Sequence, residues 1–289
     1  MIIVKLSGGL GNQMFQYASA KGVAKLNNDS LYIDISHYDK YYDRDYKLSN
    51  YNIKENLISK ESLPIKFKIL NNRLVNKFIR IFNIAIKGKD IYINQNDFGI
   101  YNCLLKPFKY RNLYLNGYWQ NEVYFKEISA IIRKEFVLKD ISNIKEMDIY
   151  KVIVNSNSIS IHVRRGDYLT KNNKDLYGVC SLEYYKKSIE FMKKKVINPT
   201  FLVFSDDIEW AKENFNFKEN FIFIDKELFD YEELYLMSKC KHNIIANSSF
   251  SWWAAWLNNN KEKIVVAPEK WTISLTQSQQ IVPKSWNIV

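Results

Sequence analysis

The stretch Ile159-Ser-Ile-His-Val-Arg-Arg-Gly-Asp-Tyr168 decides how the chain is read: a short run of buried-strand type passes without a break into two arginines, a glycine and an aspartate. The same rhythm continues downstream. Apolar β-type runs at 201–204, 221–224, 243–246 and 264–267 alternate with helix-type segments at 181–195, 208–215, 231–240 and 250–257. Apolar strands separated by helices predict parallel βαβ units, hence an α/β fold with a doubly wound sheet and its ligand at the carboxyl ends of the strands.

Upstream the pattern starts in the same way, with a strand at 2–6, a glycine-bearing turn, a helix from about 12 to 26 and a strand at 31–35. It then becomes irregular. From about 37 to 111 the chain is rich in Tyr, Asn and Lys and mixes loops with helices, followed by a strand at 113–115 and a helix at 121–136. Residues 140–157 read as an interdomain segment. The expected organisation is two Rossmann-like domains, 1–150 and 151–289, facing a cleft, with the second the more regular.

With 289 residues and 47% hydrophobic content, the chain is long enough for one large or two modest cores. Its three cysteines, Cys103, Cys180 and Cys240, form no CxxC pair and read as free thiols of a reducing compartment. Met1 opens directly into a strand-type run, so no signal peptide is expected, and no stretch approaches the ~18 apolar residues of a membrane span. A cytoplasmic location follows as the expectation.

The net charge is +11 and the isoelectric point near 9.2. Between Leu63 and Lys89 the charged residues are Lys66, Lys68, Arg73, Lys77, Arg80, Lys87 and Lys89, with no acid among them. Interleaved with Phe67, Leu70, Leu74, Phe78 and Phe82, they predict an amphipathic basic helix or helix pair. This is either a solvated basic face over a core-facing stripe or a peripheral contact with anionic membrane. Nucleic acid is disfavoured as a partner, because the basic segment carries no recognisable binding module.

Arg164 and Arg165 are placed where a doubly wound sheet binds anions. Their planar, permanently charged forks suit a diphosphate, and fixed positive charge there could stabilise a departing diphosphate without a metal. A structural ion pair, for example Arg165 with Asp167, is the alternative. Gly8-Gly-Leu-Gly-Asn-Gln13 lies between the first strand and first helix, and Asp34 follows at the end of the next strand. Compared with the dinucleotide fingerprint, the third glycine would fall at Met14, so Asn12 and Gln13 read instead as amides for a neutral polyhydroxylated ligand.

Phe204-Ser-Asp-Asp207 resembles a strand end that holds a metal beneath a diphosphate, which would make Asp206 and Asp207 the centre of a rival, metal-dependent mechanism. Both acids also open a helix-type run, where caps are expected. The second acidic match, Asp43-Arg-Asp45, reads as chance. Ser248 and Ser249 start another helix and suit either phosphate binding or capping. Trp252, Trp253 and Trp256 follow a helix face and belong to the core. His37, His162 and His242 lack the spacing of a zinc site, and no nucleophile elbow or phosphate-loop motif is present.

Four ordered motifs, GGLGNQMFQYA from Gly8, HVRRGDY from His162, FSDD from Phe204 and NSSFSWWAAWL from Asn247, together with Gly117-Tyr-Trp-Gln120, resemble glycosyltransferase family 11, the α-1,2-fucosyltransferases. The resemblance implies a GT-B-like architecture, GDP-β-L-fucose as donor, inversion to an α-fucoside, no essential metal or other cofactor, and the 2-hydroxyl of a terminal galactose as acceptor. On that likeness Arg164 and Arg165 would bind the donor phosphates and His162 would lie beside the nucleotide. Ser248, Ser249 and Phe250 would complete the phosphate and fucose pocket. Asn12 and Gln13 would face the cleft from an acceptor-side N-terminal domain, and a looser likeness to other fucosyltransferases with an H-x-R-R core implies that Glu233 would contact the guanine. Asp206, at the start of a helix-type run, reads as a cap or a partner for a ligand hydroxyl. Inverting transfer to an oxygen nucleophile calls for a group to accept the acceptor's proton, and Asp167 is the candidate. A non-catalytic protein that binds glycans or nucleotide sugars would share these features, and the composition fits a bacterial enzyme at the inner membrane face.

Overall fold

The computed structural model describes residues 1–39, 45–54, 56–64, 67–68, 84–87, 89–95, 99–170, 178–273 and 281–289. The chain divides into two units, Met1–Lys139 and Asp140–Val289.

In the first unit β1 (Ile2–Lys5), β2 (Leu31–Asp34), β3 (Ile84–Lys87), β4 (Asp90–Asn94) and β5 (Asn112–Asn116) form a sheet in the order β2-β1-β5-β4-β3. Ile2 pairs with Leu31 on one side and Leu113 on the other, both in parallel register, and only β3 runs antiparallel, against β4. The helix α1 (Leu10–Leu26) is buried around nearly its whole circumference. Gly22 permits this, since a Cβ there would lie 1.9 Å from the Tyr124 carbonyl oxygen. On the sheet Ile3, Tyr92 and Tyr114 pack with Ile58, Leu63 and Phe67.

The second unit is the regular one. β6 (Asn157–Val163), β7 (Pro199–Ser205), β8 (Phe221–Phe223), β9 (His242–Ile244), β10 (Val265–Ala267) and β11 (Asn287–Ile288) make an all-parallel sheet in the order β11-β10-β9-β6-β7-β8. Side chains alternate along β6. Ile159, Ile161 and Val163 join Phe201, Val203, and Tyr185 and Met192 of α5 (Leu182–Lys193) in one core cluster. Ser158, Ser160 and His162 are buried as well and fall on the opposite face, where Asn243 Nδ2 donates to Ser160 Oγ at 2.8 Å. A strand covered on both faces leaves its only accessible chemistry at its end.

Three expectations change. Residues 121–136 are not one helix but two 3-10 turns, Glu122–Tyr124 and Lys126–Ile128, followed by α2 (Ser129–Glu135). Asn121 caps the first turn, accepting from the Val123 amide, and Tyr124 and Phe125 turn inward. Residues 140–157 are not a linker: α3 (Ser142–Glu146) and α4 (Asp148–Asn155) belong to the second unit, and Ile153 of α4 is fully buried. The division therefore falls at Lys139, earlier than expected. The segment between Leu63 and Lys89 ends in strand β3, with Leu63 and Phe67 in the core; residues 65–66, 69–83 and 88 of the proposed basic stretch lie outside the described residues. So does Asp43-Arg44.

Candidate functional site

The sheet order of the second unit sets the place of the site. From β6 the chain proceeds to β7 and β8 on one side, then returns to β9 and β10 on the other, so connections diverge between the carboxyl ends of β6 and β9. His162-Val-Arg-Arg-Gly-Asp167 leaves β6 there, and Asn247-Ser-Ser-Phe250 leaves β9.

The two arginines are held differently. Arg164 pairs through Nη2 with Asp167 at 2.7 Å and through Nη1 with Asp206 at 3.1 Å. Arg165 points towards α6 (Ile208–Asn214): its Nε donates to Asp207 at 3.1 Å, and its guanidinium lies over the Trp210 ring at 3.7 Å. With a side chain only 17% exposed, that stack contributes on the order of 1 kcal/mol and fixes the plane of the fork. Asp206 completes the frame, accepting from the Arg165 amide at 2.9 Å. Gly166 leaves it room, because a Cβ there would sit 2.7 Å from Asp206 Oδ2. The ion pair offered as the alternative, Arg165 with Asp167, does not form; the pairs are Arg164–Asp167 and Arg165–Asp207.

Asp207 is the N-cap of α6, accepting from the Trp210 amide at 3.3 Å, whereas Asp206 braces the arginines and does not cap. Among the described residues no three His, Cys, Asp or Glu side chains converge as metal ligands would.

Two titratable groups flank this frame. His162 is buried, and burial together with the charge of Arg164 pushes its pKa down to about 3, so it stays neutral. Its ring stands 5.6 Å from Phe250. Glu233, on α7 (Asp230–Lys239), is pushed up to about 7 by burial first, then by Asp230 and Asp206, with Arg164 opposing.

Ser248 caps α8 (Ser249–Leu257), accepting from the Phe250 amide at 3.3 Å, and is buried, while Ser249 and Phe250 are half-buried. Tyr168 joins the two strand ends by donating to the Asn247 carbonyl at 2.9 Å. Asn247 Nδ2 in turn donates to the Trp271 carbonyl at 3.1 Å. Trp252, Trp253 and Trp256 are buried core, as their spacing predicts. Trp210, Tyr168 and Asn247 were not picked out from the sequence as site residues. Only the position of Trp210 in the first turn after Asp206-Asp207 hinted at its place.

In the first unit Asn12 is half-buried and accepts from Gln120 Nε2 at 2.8 Å. Gln13 departs from its expected role: it is fully buried, donating to the Gly8 and Asp45 carbonyls at 3.1 and 2.8 Å and accepting from the Lys47 amide at 2.9 Å. Its amide is committed to fastening residues 45–47 to the glycine turn and is not displayed to a ligand. Asp34 is buried and accepts from the Tyr114 hydroxyl.

The model of the family described as "Glycosyl transferase family 11" matches residues 1–289. An α-1,2-colitosyltransferase of Escherichia coli is 35% identical over 277 residues, covering 94% of this chain and 92% of the relative. The O-antigen biosynthesis glycosyltransferase WbnK of Escherichia coli is also 35% identical, covering 97% and 98%. Galactoside α-(1,2)-fucosyltransferase 1 of Lagothrix lagotricha is 24% identical, covering 86% of this chain and 63% of that one. Among solved structures, fucosyltransferase NodZ from Bradyrhizobium superposes with a TM-score of 0.52 at 14% identity, covering 88% of this chain and 91% of that one, which places the fold in the GT-B class. An arginine pair framed at the switch point of a parallel sheet, on a chain matched from end to end by one family model, means that the protein belongs to glycosyl transferase family 11.

Proposed function

We propose that this glycosyltransferase moves L-fucose from GDP-β-L-fucose to the 2-hydroxyl of a terminal galactose, with inversion and without an essential metal. The observation that carries this is the pair Arg164 and Arg165 at the carboxyl end of β6, oriented by Asp206, Asp207 and Trp210. Two such forks match the oxygens of a diphosphate leaving group and are already in place before charge develops on it. The diphosphate would take Arg164 from Asp167, releasing that carboxylate to accept the acceptor's proton as the new glycosidic bond forms. Ser249 and the first turn of α8 would meet the phosphates, Phe250 and neutral His162 would line the sugar pocket, and Glu233 would accept from the guanine edge. Asn12 would face the acceptor.

Colitose is the second reading of the donor, favoured by the 35% identity to a colitosyltransferase. Colitose is L-fucose without its 3-hydroxyl, so the same phosphate frame serves either sugar. The O-antigen relative supports a bacterial cell-surface glycan as the acceptor. No helix among the described residues is long and apolar enough to cross a membrane; attachment to a membrane surface through the basic segment is part of the proposal.

The test is GDP release from GDP-fucose and from GDP-colitose with lactose, with and without EDTA, for wild type, Arg164→Ala and Arg165→Ala. Chelator-resistant release that yields a fucosylated disaccharide and falls at least about 100-fold in the variants agrees with the proposal. Chelator-sensitive release moves the chemistry to Asp206 and Asp207. Preference for GDP-colitose reassigns the donor, and binding of a nucleotide sugar without release under any condition leaves a non-catalytic binding protein.

A further inference from the structure

We infer that Tyr118 is the platform on which the acceptor's terminal sugar stacks, which rests on the acceptor class proposed above. In the first sheet, too, connections diverge at one place: β1 leads to β2 on one side, while β5 and β4 lie on the other. The loops leaving β1 and β5 flank that point, where a sheet of this kind receives ligands. Tyr118 is in the loop after β5 and is 38% exposed.

That loop is tightly held. Gln16 Nε2 donates to the Gly117 carbonyl at 3.1 Å, Ser19 Oγ to the Trp119 carbonyl at 3.1 Å, and the Trp119 amide to Gln95 Oε1 at 2.6 Å. Gln120 reaches Asn12 on α1. Gly117 allows no side chain, since a Cβ would fall 2.4 Å from Gln95 Cβ.

Trp119 carries two unfavourable features at once. Its φ of 53° is a left-handed conformation that bulky residues rarely adopt. Its indole Nε1 is buried with no hydrogen-bond partner among the described residues. A turn selected for stability alone would have Gly or Asn at such a φ. Strain maintained by surrounding bonds is characteristic of sites that must present a group in one direction. Here the reversal sends the Trp119 ring inward, edge-on to Tyr101 and Tyr124, and leaves Tyr118 as the outward aromatic.

An outward phenol on a rigid loop matches a pyranose face. The axial 4-hydroxyl of a galactoside leaves C–H groups at C3, C4 and C5 on one side, which pack on an aromatic ring. A tyrosine orders only two side-chain torsions in doing so.

The experiment varies lactose at saturating donor for wild type, Tyr118→Phe and Tyr118→Ala. The Ala variant should raise the acceptor KM at least about tenfold, and the Phe variant less than about threefold, with the donor KM of both within about twofold of wild type. An acceptor KM in Tyr118→Ala within twofold of wild type, or a donor KM rising in parallel, overturns the inference. Tyr118→Trp keeps a ring and supplies a second readout that needs no turnover: its emission, read against wild type, should shift as β-galactosides are added without donor. If wild type transfers no sugar to lactose, the reaction proposed above fails, and the Tyr118→Trp emission is read against a panel of glycosides. No shift with any of them overturns the platform itself.

Discussion

On the proposed guanine contact, Glu233 should make donor binding and stability respond to pH in opposite directions. Its carboxyl is pushed from its ordinary 4.5 up to about 7 by burial and by the neighbouring Asp230 and Asp206, against the opposing charge of Arg164. A carboxyl with a raised folded pKa holds its proton longer in the folded than in the unfolded chain. Stability from this group is therefore complete below about pH 4.5 and is lost as pH rises through about 7. A shift of that size corresponds to at most about 3 kcal/mol, because the site is not fully closed to water. A guanine edge, by contrast, needs the ionised form as acceptor. With a pKa near 7 the ionised fraction is about 90% at pH 8 and about 3% at pH 5.5, so the donor KM should rise about 30-fold between them. His162, held near 3, does not titrate in this window.

The assay is donor KM from pH 5.5 to 8.5 and urea unfolding at both ends, for wild type and Glu233→Gln. The glutamine mimics the protonated carboxyl in shape and charge. It should be more stable than wild type at pH 8, and by less than half as much at pH 5.5, where the unfolded carboxyl is already ionised but the folded one is not, with a donor KM that is high and flat. An unchanged pH slope of KM in the variant would refute the guanine contact. A stability difference that fails to grow with pH would refute the burial argument independently.

Two further outcomes follow from the geometry. Arg165→Lys should lower kcat/KM about 100-fold in single-turnover and steady-state assays, because an ammonium cannot both lie flat on Trp210 at 3.7 Å and present a two-pronged donor; a loss under about fivefold would show that charge alone is needed. Gly22→Ala places a methyl 1.9 Å from the Tyr124 carbonyl oxygen and should destabilise the protein by about 1–3 kcal/mol, read from its urea midpoint. An unchanged midpoint would mean that α1 shifts without cost.

The arginine pair was legible because β6 is buried on both faces, so permanently charged side chains have no place within it and must emerge at the strand's end. The same logic exposed Asp206 at the end of β7 and Ser249 after β9. Partners were not legible. Nothing local says that Arg164, rather than Arg165, takes Asp167, since that depends on which side of the sheet each guanidinium leaves. Gln13 misled for a related reason: a polar residue beside a glycine turn looks like a ligand group until the backbone it fastens, at Asp45 and Lys47, is seen beside it. The hairpin of β3 and β4 was missed because β3 follows a long basic apolar stretch whose residues suit either period.

By itself, the sequence determined the alternation of apolar strands and helices, the glycine turn after β1, and the ordered motifs that mark the family. These are properties of neighbours along the chain: burial on both faces writes an apolar run, and a strand's end writes its interruption. Tertiary structure alone decided which carboxylate holds which guanidinium, that Trp210 lies beneath Arg165, and that Glu233 shares the field of Arg164 and Asp206. It alone turned Trp119 inward and Tyr118 outward. Those outcomes rest on distances between residues far apart in sequence, where a few ångströms determine whether a charge is paired, buried or presented.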